Sequence, residues 1–399
     1  MALARTLGAA AFGVFAVLAA TMAIAGGLAD FGLTGAAVRR IAGEAGEQCR
    51  LQTWRGFVAL RLAGAAIVAG VGIAAAGWLC RRVLAIPGHE SLLRLALVGM
   101  VATAVSGAMT AGLQATGRFR SLATVMLVNA VLSALLAVAL AATGWLTLTT
   151  ALAVLGIATA LASAVVGWRL LPDELRSIRP SRDDVHAEGR PLLRFGAWLW
   201  VASTLGLLAG QLDILLLGHW SSSEVVGAYA LAVALASKAD VLNQSLHAVL
   251  LPGAARLRSS REGREYLRAG LRRGLLAGAA LLACLPLAGP AISLVYGDAY
   301  RPSVALFQIL LVVSLLDLLS TPALLLAYTV ERPRLLVLAG ALRTGTLVVV
   351  AVALIPRYGA EGAVAARLAA SVAVAAAAAG YLLVQRGRAR EIAVEALEP

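Results

Sequence analysis

Long apolar stretches, separated only by short charged segments, recur from one end of the sequence to the other. Each is long enough to cross a hydrocarbon core of about 30 Å as a helix that rises about 1.5 Å per residue. Apolar residues make up 60% of the 399 residues and charged residues only 14%, and the mean hydropathy is +0.86. A water-soluble core cannot enclose so much apolar surface. The sequence therefore predicts an all-α, polytopic membrane helix bundle without a separate soluble domain.

The apolar windows predict about 11 transmembrane helices, each bounded by charged residues, glycine or proline. Their predicted limits are 10–30, 57–79, 92–114, 122–143, 147–168, 196–218, 226–250, 274–295, 304–328, 335–355 and 361–384. A hydrophilic stretch at 171–194, with three prolines and mixed charges, separates five spans from six. It predicts a cytoplasmic linker between an N-terminal lobe at 1–170 and a C-terminal lobe at 195–399, which ends in a short cytoplasmic tail.

Basic residues are distributed unequally between the loops on the two sides of these spans. Of the 34 basic residues, 24 lie in one set of alternating loops, five in the other set and five within the spans. Because cytoplasmic loops carry the excess of Arg and Lys, we expect the first set and the C-terminus in the cytoplasm of a bacterium, and Met1 on the outer side of its inner membrane. The net charge of +13 therefore reports topology. The basic loops lack interleaved aromatic residues and a binding module, so no nucleic-acid partner is expected.

Catalytic and metal chemistry finds no support in the residue pattern. The three cysteines, Cys49, Cys80 and Cys284, have no CxxC spacing and no accompanying His cluster, so no metal site and no disulfide framework are predicted. The external loops are too short to carry the catalytic carboxylates or His expected of a membrane glycosyltransferase or polymerase. We expect a protein that is not an enzyme and that uses no cofactor.

Short motifs at the ends of the predicted spans follow one another along nearly the whole chain. They are Ala4–Gly8, Phe12–Phe15, Ala29–Leu33, Gly112–Ala115 with Arg118 and Phe119, Asp213–Gly218, Val226–Ala232, Tyr296–Tyr300 and Ile355–Ala363. In order and spacing they resemble the O-antigen and polysaccharide flippases of the multidrug/oligosaccharidyl-lipid/polysaccharide superfamily. The family pattern has twelve helices, and its first helix has no counterpart in this sequence, which would account for a division into five and six.

This resemblance implies two pseudo-symmetric lobes around a central cavity that opens alternately to each side of the membrane. It also implies a substrate: a polyprenyl-diphosphate-linked oligosaccharide, used for O-antigen, lipopolysaccharide or another surface polysaccharide, whose polyprenyl tail stays in the lipid. The implied partners are this substrate, membrane lipids and a polysaccharide polymerase or other assembly proteins. A multidrug or cation antiporter of the same superfamily is the alternative function. It should have an acidic cavity, whereas the deep charged groups here are mixed and rich in Arg.

Polar and ionisable side chains within the predicted spans are the candidate functional residues, because a charged group at the membrane centre costs roughly 2.5 to 3.5 kcal/mol. A flippase must shelter a diphosphate and sugar hydroxyls from hydrocarbon. The candidates for substrate binding are Arg343, Arg367, Lys238, Arg61, Arg94, Asn243, Gln244 and Gln211. The candidates for ion coupling are Asp317, Asp240, Asp213 and Asp30.

Arg343 is the strongest cationic candidate, because it lies too deep in its span to reach the interface easily. The planar donor fork of Arg suits a phosphate, and a structural ion pair with a carboxylate such as Asp317 is the alternative. Arg367 lies closer to the outer interface. Arg61 and Arg94 lie near span ends, where snorkelling to the interface is favoured over a role in the cavity.

A polar stripe is predicted on the seventh span. Asp240, Asn243, Gln244 and His247 follow helical spacing and share one face, whereas Lys238, the only lysine, points to the opposite side. The stripe would line an aqueous cavity or seal an interface between two helices. Lys238 would snorkel or pair with a neighbouring helix.

The intramembrane carboxylates differ in predicted depth. Asp317 lies deep in its span and is the better candidate for coupling transport to an ion gradient, because neutralising a carboxylate removes the cost of moving it. Asp30 and Asp213 lie near helix ends, where capping or interfacial hydration is favoured.

The loop at 255–273 carries seven Arg against two Glu. It would form an amphipathic surface helix that binds anionic lipid, or it would act as a simple topological anchor, which is the more frequent role of such a segment.

Overall fold

The computed structural model describes residues 2–43, 46–176, 182–254, 260–329 and 333–395, and the regular elements within these ranges are all helical. The α-helices are α1 (Ala2–Asp30), α2 (Leu33–Gly43), α3 (Glu47–Ala74), α4 (Ala76–Trp78), α5 (Glu90–Ala115), α6 (Phe119–Ala142), α7 (Leu148–Thr150), α8 (Thr159–Leu170), α9 (Asp173–Arg176), α10 (Arg182–Trp220), α11 (Ser223–Ala236), α12 (Asp240–Ala254), α13 (Ser260–Ala283), α14 (Ala288–Tyr296), α15 (Ser303–Thr329), α16 (Pro333–Tyr358) and α17 (Ala360–Glu395). Leu79–Val83 and Ala151–Ala158 form π-helix, and Asp298–Tyr300 forms a 3₁₀ turn.

Within the described residues, ten helical segments are long and apolar enough to cross a membrane, and eleven if α13 and α14 together form one bent span. This confirms the predicted all-α, polytopic membrane fold. Parts of the linker and of the Arg-rich loops, at 177–181, 255–259 and 330–332, lie outside the described residues.

Two predicted spans are interrupted rather than continuous. The span predicted at 274–295 divides into α13 and α14, which are bent by 55° at Cys284–Leu287. Pro286 lies in this break, and its missing N–H and its ring disfavour a continuous helix. The span predicted at 226–250 divides into α11 and α12 at the turn Ser237–Ala239, where the hydrogen bonds tighten to a three-residue spacing. This tightening lies between Lys238 and the polar stripe, and Ser223–Leu251 as a whole remains long and apolar enough to be one span.

The chain divides into two compact units, Met1–Val226 (unit 1) and Gly227–Pro399 (unit 2). This boundary lies one span later than the predicted linker at 171–194. The reason is that α10, which contains the sixth span, packs against α1, α2 and α3 and so belongs to unit 1. In unit 2, α15 packs against α12, α13 and α17, and α16 packs along α17.

The described part of the predicted linker is attached to unit 1. Glu188 on α10 is only 5% exposed, and its carboxylate accepts hydrogen bonds from Arg40 on α2 (3.1 Å) and Thr53 on α3 (3.2 Å). The Trp54 indole N–H donates to the carbonyl oxygen of Leu175 at 2.8 Å. Helix α10 continues from this region into the membrane as a single element of 39 residues, although it contains a proline.

A close backbone contact fixes the corner between α1 and α2, next to the end of α1. Gly32 has φ +68°, a conformation that favours glycine, and a Cβ atom added there would lie 2.2 Å from the carbonyl oxygen of Gly196 on α10. The rings of Phe31 and Trp200 stack beside this contact at 5.2 Å between centroids. The corner positions Asp30, the last residue of α1.

Three glycines spaced four residues apart bring α13 close to α15 in unit 2. A Cβ atom added at Gly270 would lie 2.8 Å from Pro322, and one added at Gly278 would lie 2.3 Å from Leu315. Between them, an added Cβ at Gly274 would be in ordinary contact with α15. Small residues at this spacing let membrane helices approach closely.

Candidate functional site

An ion pair joins two membrane-spanning helices of unit 2. The Arg343 guanidinium on α16 donates to the carboxylate of Asp317 on α15, with Nη2 and Oδ2 2.5 Å apart. The same nitrogen donates to the Ser371 hydroxyl on α17 at 3.2 Å. The Arg343 side chain is 37% exposed and that of Asp317 is 21% exposed. The pair therefore connects three helices while the cation remains the more open partner.

Further polar groups from α12 and α17 surround this pair. The Thr321 hydroxyl lies 2.6 Å from Asn243 Oδ1 and 2.9 Å from the carbonyl oxygen of Asp317, so it can donate its one hydrogen to either. Asp240 interacts electrostatically with Asp317, Arg367 and Arg343. We call this group the unit 2 polar cluster, and its members are Asp240, Asn243, Asp317, Thr321, Arg343, Arg367 and Ser371.

The unit 2 polar cluster brings together five of the residues predicted from the sequence. Its ionic members are two arginines and two aspartates, so the formal charges balance. The structural ion pair between Arg343 and Asp317, one of the two possibilities left open by the sequence, is present. Of the predicted stripe, Asp240, Gln244 and His247 are exposed and Asn243 is half-buried; Lys238, at the turn before α12, is exposed as well.

A second intramembrane ion pair lies in unit 1. The Arg61 guanidinium on α3 pairs with the carboxylate of Asp30 at the end of α1 and contacts the hydroxyl of Thr34. Thr34 in turn donates to Asp30 at 2.5 Å, and Arg61 Nε donates to the carbonyl oxygen of Ala104 on α5 at 2.9 Å. A Cβ atom at Gly107 would lie 2.5 Å from the guanidinium. The absence of a side chain at Gly107 therefore provides the space that Arg61 occupies.

This geometry differs from what the sequence favoured for both residues. Arg61 was expected to snorkel and Asp30 to cap a helix or meet interfacial water. Instead they neutralise each other, with side chains 14% and 23% exposed. The physical reason is tertiary: α1, α3 and α5 pack together, and this places a carboxylate beside Arg61.

The remaining candidates lie apart from the two ion pairs. Arg94 is exposed near the start of α5. Asp213 is fully buried within α10, and its carboxylate accepts a hydrogen bond from the Ile214 N–H at 2.9 Å. Gln211 is half-buried on the same helix.

The sequence analysis missed several uncharged partners of the two ion pairs. A threonine follows each paired aspartate by four residues: Thr34 follows Asp30, and Thr321 follows Asp317. Asp317 and Thr321 both lie on α15, where residues four apart share a helix face, so their spacing is a signal that the sequence could have provided. Asp30 and Thr34 lie on either side of the corner between α1 and α2, so helical spacing does not predict their contact. Ser371 and Gly107 carry no comparable signal, since their role depends on helix packing.

Comparison with known proteins places these features in a family. Residues 2–305 match the family model described as "Polysaccharide biosynthesis protein". Over 150 residues, which is 36% of this chain, the sequence is 30% identical to the lipopolysaccharide biosynthesis protein WzxC of Escherichia coli (strain K12). The matched segment spans 30% of the length of that relative.

Two solved structures show the same fold. One is the inward-facing conformation of a multidrug resistance MATE family transporter, with a TM-score of 0.74, 16% identity and coverage of 98% of this chain and 92% of that chain. The other is the lipid II flippase MurJ in an inward closed conformation, with a TM-score of 0.77, 9% identity and coverage of 96% and 84%.

The family match covers most of the chain, and the fold is shared with a MATE family transporter and with the lipid II flippase MurJ. The chain therefore belongs to the polysaccharide biosynthesis protein family.

Proposed function

We propose that this chain is a flippase that moves a polyprenyl-diphosphate-linked oligosaccharide across the bacterial inner membrane by alternating access, for the biosynthesis of a cell-surface polysaccharide. The Arg343–Asp317 pair carries the proposal, because its arginine is more exposed than its aspartate. An anionic group that approaches the pair meets the guanidinium first. Membership of a polysaccharide biosynthesis family and the similarity to a lipopolysaccharide biosynthesis protein support this substrate class.

Binding of the diphosphate is a competition with Asp317 in this proposal. The planar fork of Arg343 suits two phosphate oxygens, but part of it is held by the carboxylate. Arg367 supplies a second cation to the same cluster. The hydroxyl of Ser371 and the amide of Asn243 offer hydrogen bonds to phosphate or sugar oxygens. Further contacts with the substrate are assigned to Lys238, Gln244, Gln211 and Arg94.

The competition also provides a way to couple transport to an ion gradient. If a proton or a cation neutralises Asp317 or Asp240, the arginines lose their internal partners and become available to the diphosphate. When the cargo leaves, the carboxylates pair with the arginines again, so neither charge remains alone in the membrane. Asp317 and Asp240 are thus the proposed coupling residues of unit 2.

The pair in unit 1 has the opposite balance of exposure. Asp30 is 23% exposed and Arg61 is 14% exposed, so a cation or proton that approaches this pair meets the carboxylate first. We assign Asp30 to ion coupling and Arg61 to holding the carboxylate in place in the unloaded state. Arg61 becomes available to an anion only after Asp30 is neutralised. Asp213 remains a second candidate for coupling in unit 1.

A multidrug or cation antiporter is the second candidate function. It is favoured by the four intramembrane carboxylates at Asp30, Asp213, Asp240 and Asp317, and by the fold shared with a MATE family transporter. The two functions differ in the sign of the cargo. In the antiporter, the aspartates would bind the cationic cargo and the arginines would only balance charge.

The loop charges support an orientation for the proposed flippase. In this proposal the Arg-rich loops and the C-terminus lie in the cytoplasm. The partners are the lipid-linked oligosaccharide, the surrounding lipids and a polysaccharide polymerase or other assembly proteins.

Transport in proteoliposomes tests the proposal. The probe is a fluorescent polyprenyl diphosphate that carries one sugar, and its appearance in the outer leaflet is followed by quenching with a membrane-impermeant reductant. We expect the wild-type chain to accelerate translocation and Arg343→Lys to retain part of this activity. The double variant Arg343→Gln with Asp317→Asn should lose the activity. Because both members of the pair become neutral, neither is left as a charge without its partner.

A cationic dye in the same vesicles provides the counter-test. Accumulation of the dye driven by a proton or sodium gradient, without movement of the lipid probe, would establish the antiporter and contradict the flippase. Movement of the lipid probe without accumulation of the dye would support the flippase.

A further inference from the structure

Helix α13 has one exposed face that changes from basic to apolar along its length. Arg264, Arg268 and Arg272 recur every four residues, and all three are exposed. At about 100° per residue they lie within about 80° of one another around the helix axis. Leu275 and Leu276 continue this face and are 58% and 67% exposed. The arginine stripe therefore leads directly into an apolar surface.

The opposite face of α13 packs against other helices of unit 2. Gly270, Gly274 and Gly278 lie against α15, and the Tyr266 hydroxyl donates to the carbonyl oxygen of Leu250 at 3.3 Å. Because these contacts fix the rotation of the helix, the three arginines cannot turn toward α12 or α15. They remain on the outer side of the helix.

The spacing along the axis matches the layers of a bilayer. Arg272 precedes Leu275 by three residues, or about 5 Å, and Arg268 precedes it by about 11 Å. A hydrocarbon core of about 30 Å inside a membrane of about 40 to 45 Å leaves a head-group layer of roughly 5 to 8 Å on each side. With Leu275 taken as the edge of the hydrocarbon, Arg272 lies at the depth of lipid phosphates and Arg268 lies a few ångströms beyond the head-group layer, within reach of its long side chain.

Two glutamates on the same helix do not cancel this charge at the membrane. Glu262 and Glu265 lie on the N-terminal side of Arg268 and Arg272, farther from the apolar turns, and each already has an interaction within the protein. The three arginines outnumber the two glutamates, so a net positive charge remains on this part of α13.

We infer that the arginine stripe Arg264–Arg268–Arg272 on α13 is a binding site for an anionic phospholipid of the cytoplasmic leaflet. The lipid phosphate is held by the guanidinium groups of Arg268 and Arg272, Arg264 adds positive charge farther from the hydrocarbon, and one acyl chain lies along Leu275 and Leu276. This site is separate from the unit 2 polar cluster and does not depend on which cargo is transported. Bound lipid would stabilise α13 at the end where it leaves the membrane.

Thermal unfolding of the purified full chain in nonionic detergent tests this site. The probes are phosphatidylglycerol and, for comparison, phosphatidylethanolamine with the same acyl chains. We expect phosphatidylglycerol to raise the melting temperature of the wild type more than phosphatidylethanolamine does. The variant R264Q/R268Q/R272Q should lose this difference. Each arginine removed should lower the apparent affinity by roughly fivefold, the effect of about 1 kcal/mol per basic residue.

Two controls separate the site from general effects of charge. The variant R81Q/R82Q removes two exposed arginines elsewhere in the chain and should keep the full response to phosphatidylglycerol. Inorganic phosphate should not reproduce the response, because it offers no acyl chain to the leucine face. An equal response from phosphate, an unchanged response in the triple variant, or no preference of the wild type for phosphatidylglycerol would each overturn the inference.

Discussion

Arg343 on α16 and Asp317 on α15 are joined by a hydrogen-bonded ion pair with 2.5 Å between the nitrogen and the oxygen, inside two helices that can cross the membrane. Unit 1 contains a comparable pair between Arg61 and Asp30. In hydrocarbon each of these four charges would be costly alone, and pairing lowers that cost. It also means that a cargo or a coupling ion has to displace an internal partner in order to bind.

Exchanging the two members of the unit 2 pair separates a structural role from a functional one. In Arg343→Asp with Asp317→Arg the ion pair can still form, so we expect a melting temperature close to that of the wild type. Flipping of the lipid probe should fall at least about tenfold, because the more open position on α16 would then present a carboxylate to the diphosphate. Transport at the wild-type rate in this variant would mean that the pair has only a structural role.

The single change Arg343→Asp provides the control for that exchange. It leaves the new carboxylate facing Asp317, with Arg367 as the remaining cation of the unit 2 polar cluster, so we expect a melting temperature below that of the double variant. The difference between the single and the double variant, measured by thermal unfolding, gives the contribution of the pair to folding.

Gly107 tests the pair in unit 1 without changing any charge. In Gly107→Ala the new methyl group would lie 2.5 Å from the Arg61 guanidinium, so the guanidinium must move away from Asp30. We expect a loss of about 1 to 3 kcal/mol of stability. Gly70→Ala on α3 is the matched control, because an added Cβ meets nothing within 4 Å there, and it should be neutral or slightly stabilising.

A double-variant experiment assigns this effect to Arg61. If Gly107→Ala acts through the guanidinium, it should have little further effect in an Arg61→Gln background. An undiminished loss of stability in that background would contradict the account of Gly107.

Features that depend on a single helix could be predicted from the sequence, and features that depend on packing could not. The span predicted at 304–328 corresponds to the segment Ser303–Leu326, because apolar length is a local property. The partnership of Arg61 with Asp30 was missed, since the two residues lie on different helices. The tightened turn at Ser237–Ala239, which contains Lys238, was also missed. For Arg343, the ion pair with Asp317 was one of the two possibilities left open at the level of the sequence.

Close packing of α13 on α15 predicts a strong effect at one glycine. In Gly270→Ala the added Cβ would lie 2.8 Å from the ring of Pro322, and a proline ring within a helix cannot rotate away. We expect a loss of about 1 to 3 kcal/mol, measured as a lower melting temperature in detergent. Gly263→Ala on the same helix meets nothing within 4 Å and should have no such effect, so equal effects at the two positions would contradict this packing.

Cysteine labelling tests the proposed orientation in the membrane. Cys49 is exposed near the start of α3, in a segment predicted to be cytoplasmic, whereas Cys80 is fully buried. This burial raises the pKa of the Cys80 thiol and lowers the fraction of reactive thiolate. In a Cys284→Ser background, a membrane-impermeant maleimide should label inside-out vesicles and not right-side-out vesicles. The label should disappear when Cys49→Ser is added. Labelling of right-side-out vesicles at Cys49 would reverse the orientation.

Deletion of the gene in its native host tests the central claim most directly. The surface polysaccharide is recorded in the deleted strain and after the return of wild-type, Arg343→Lys or Arg343→Gln chains, with each protein quantified in the membrane. The account predicts that polysaccharide is lost on deletion, fully restored by the wild type, partly restored by Arg343→Lys and not restored by Arg343→Gln. Unchanged polysaccharide in the deleted strain, or full restoration by Arg343→Gln, would contradict it.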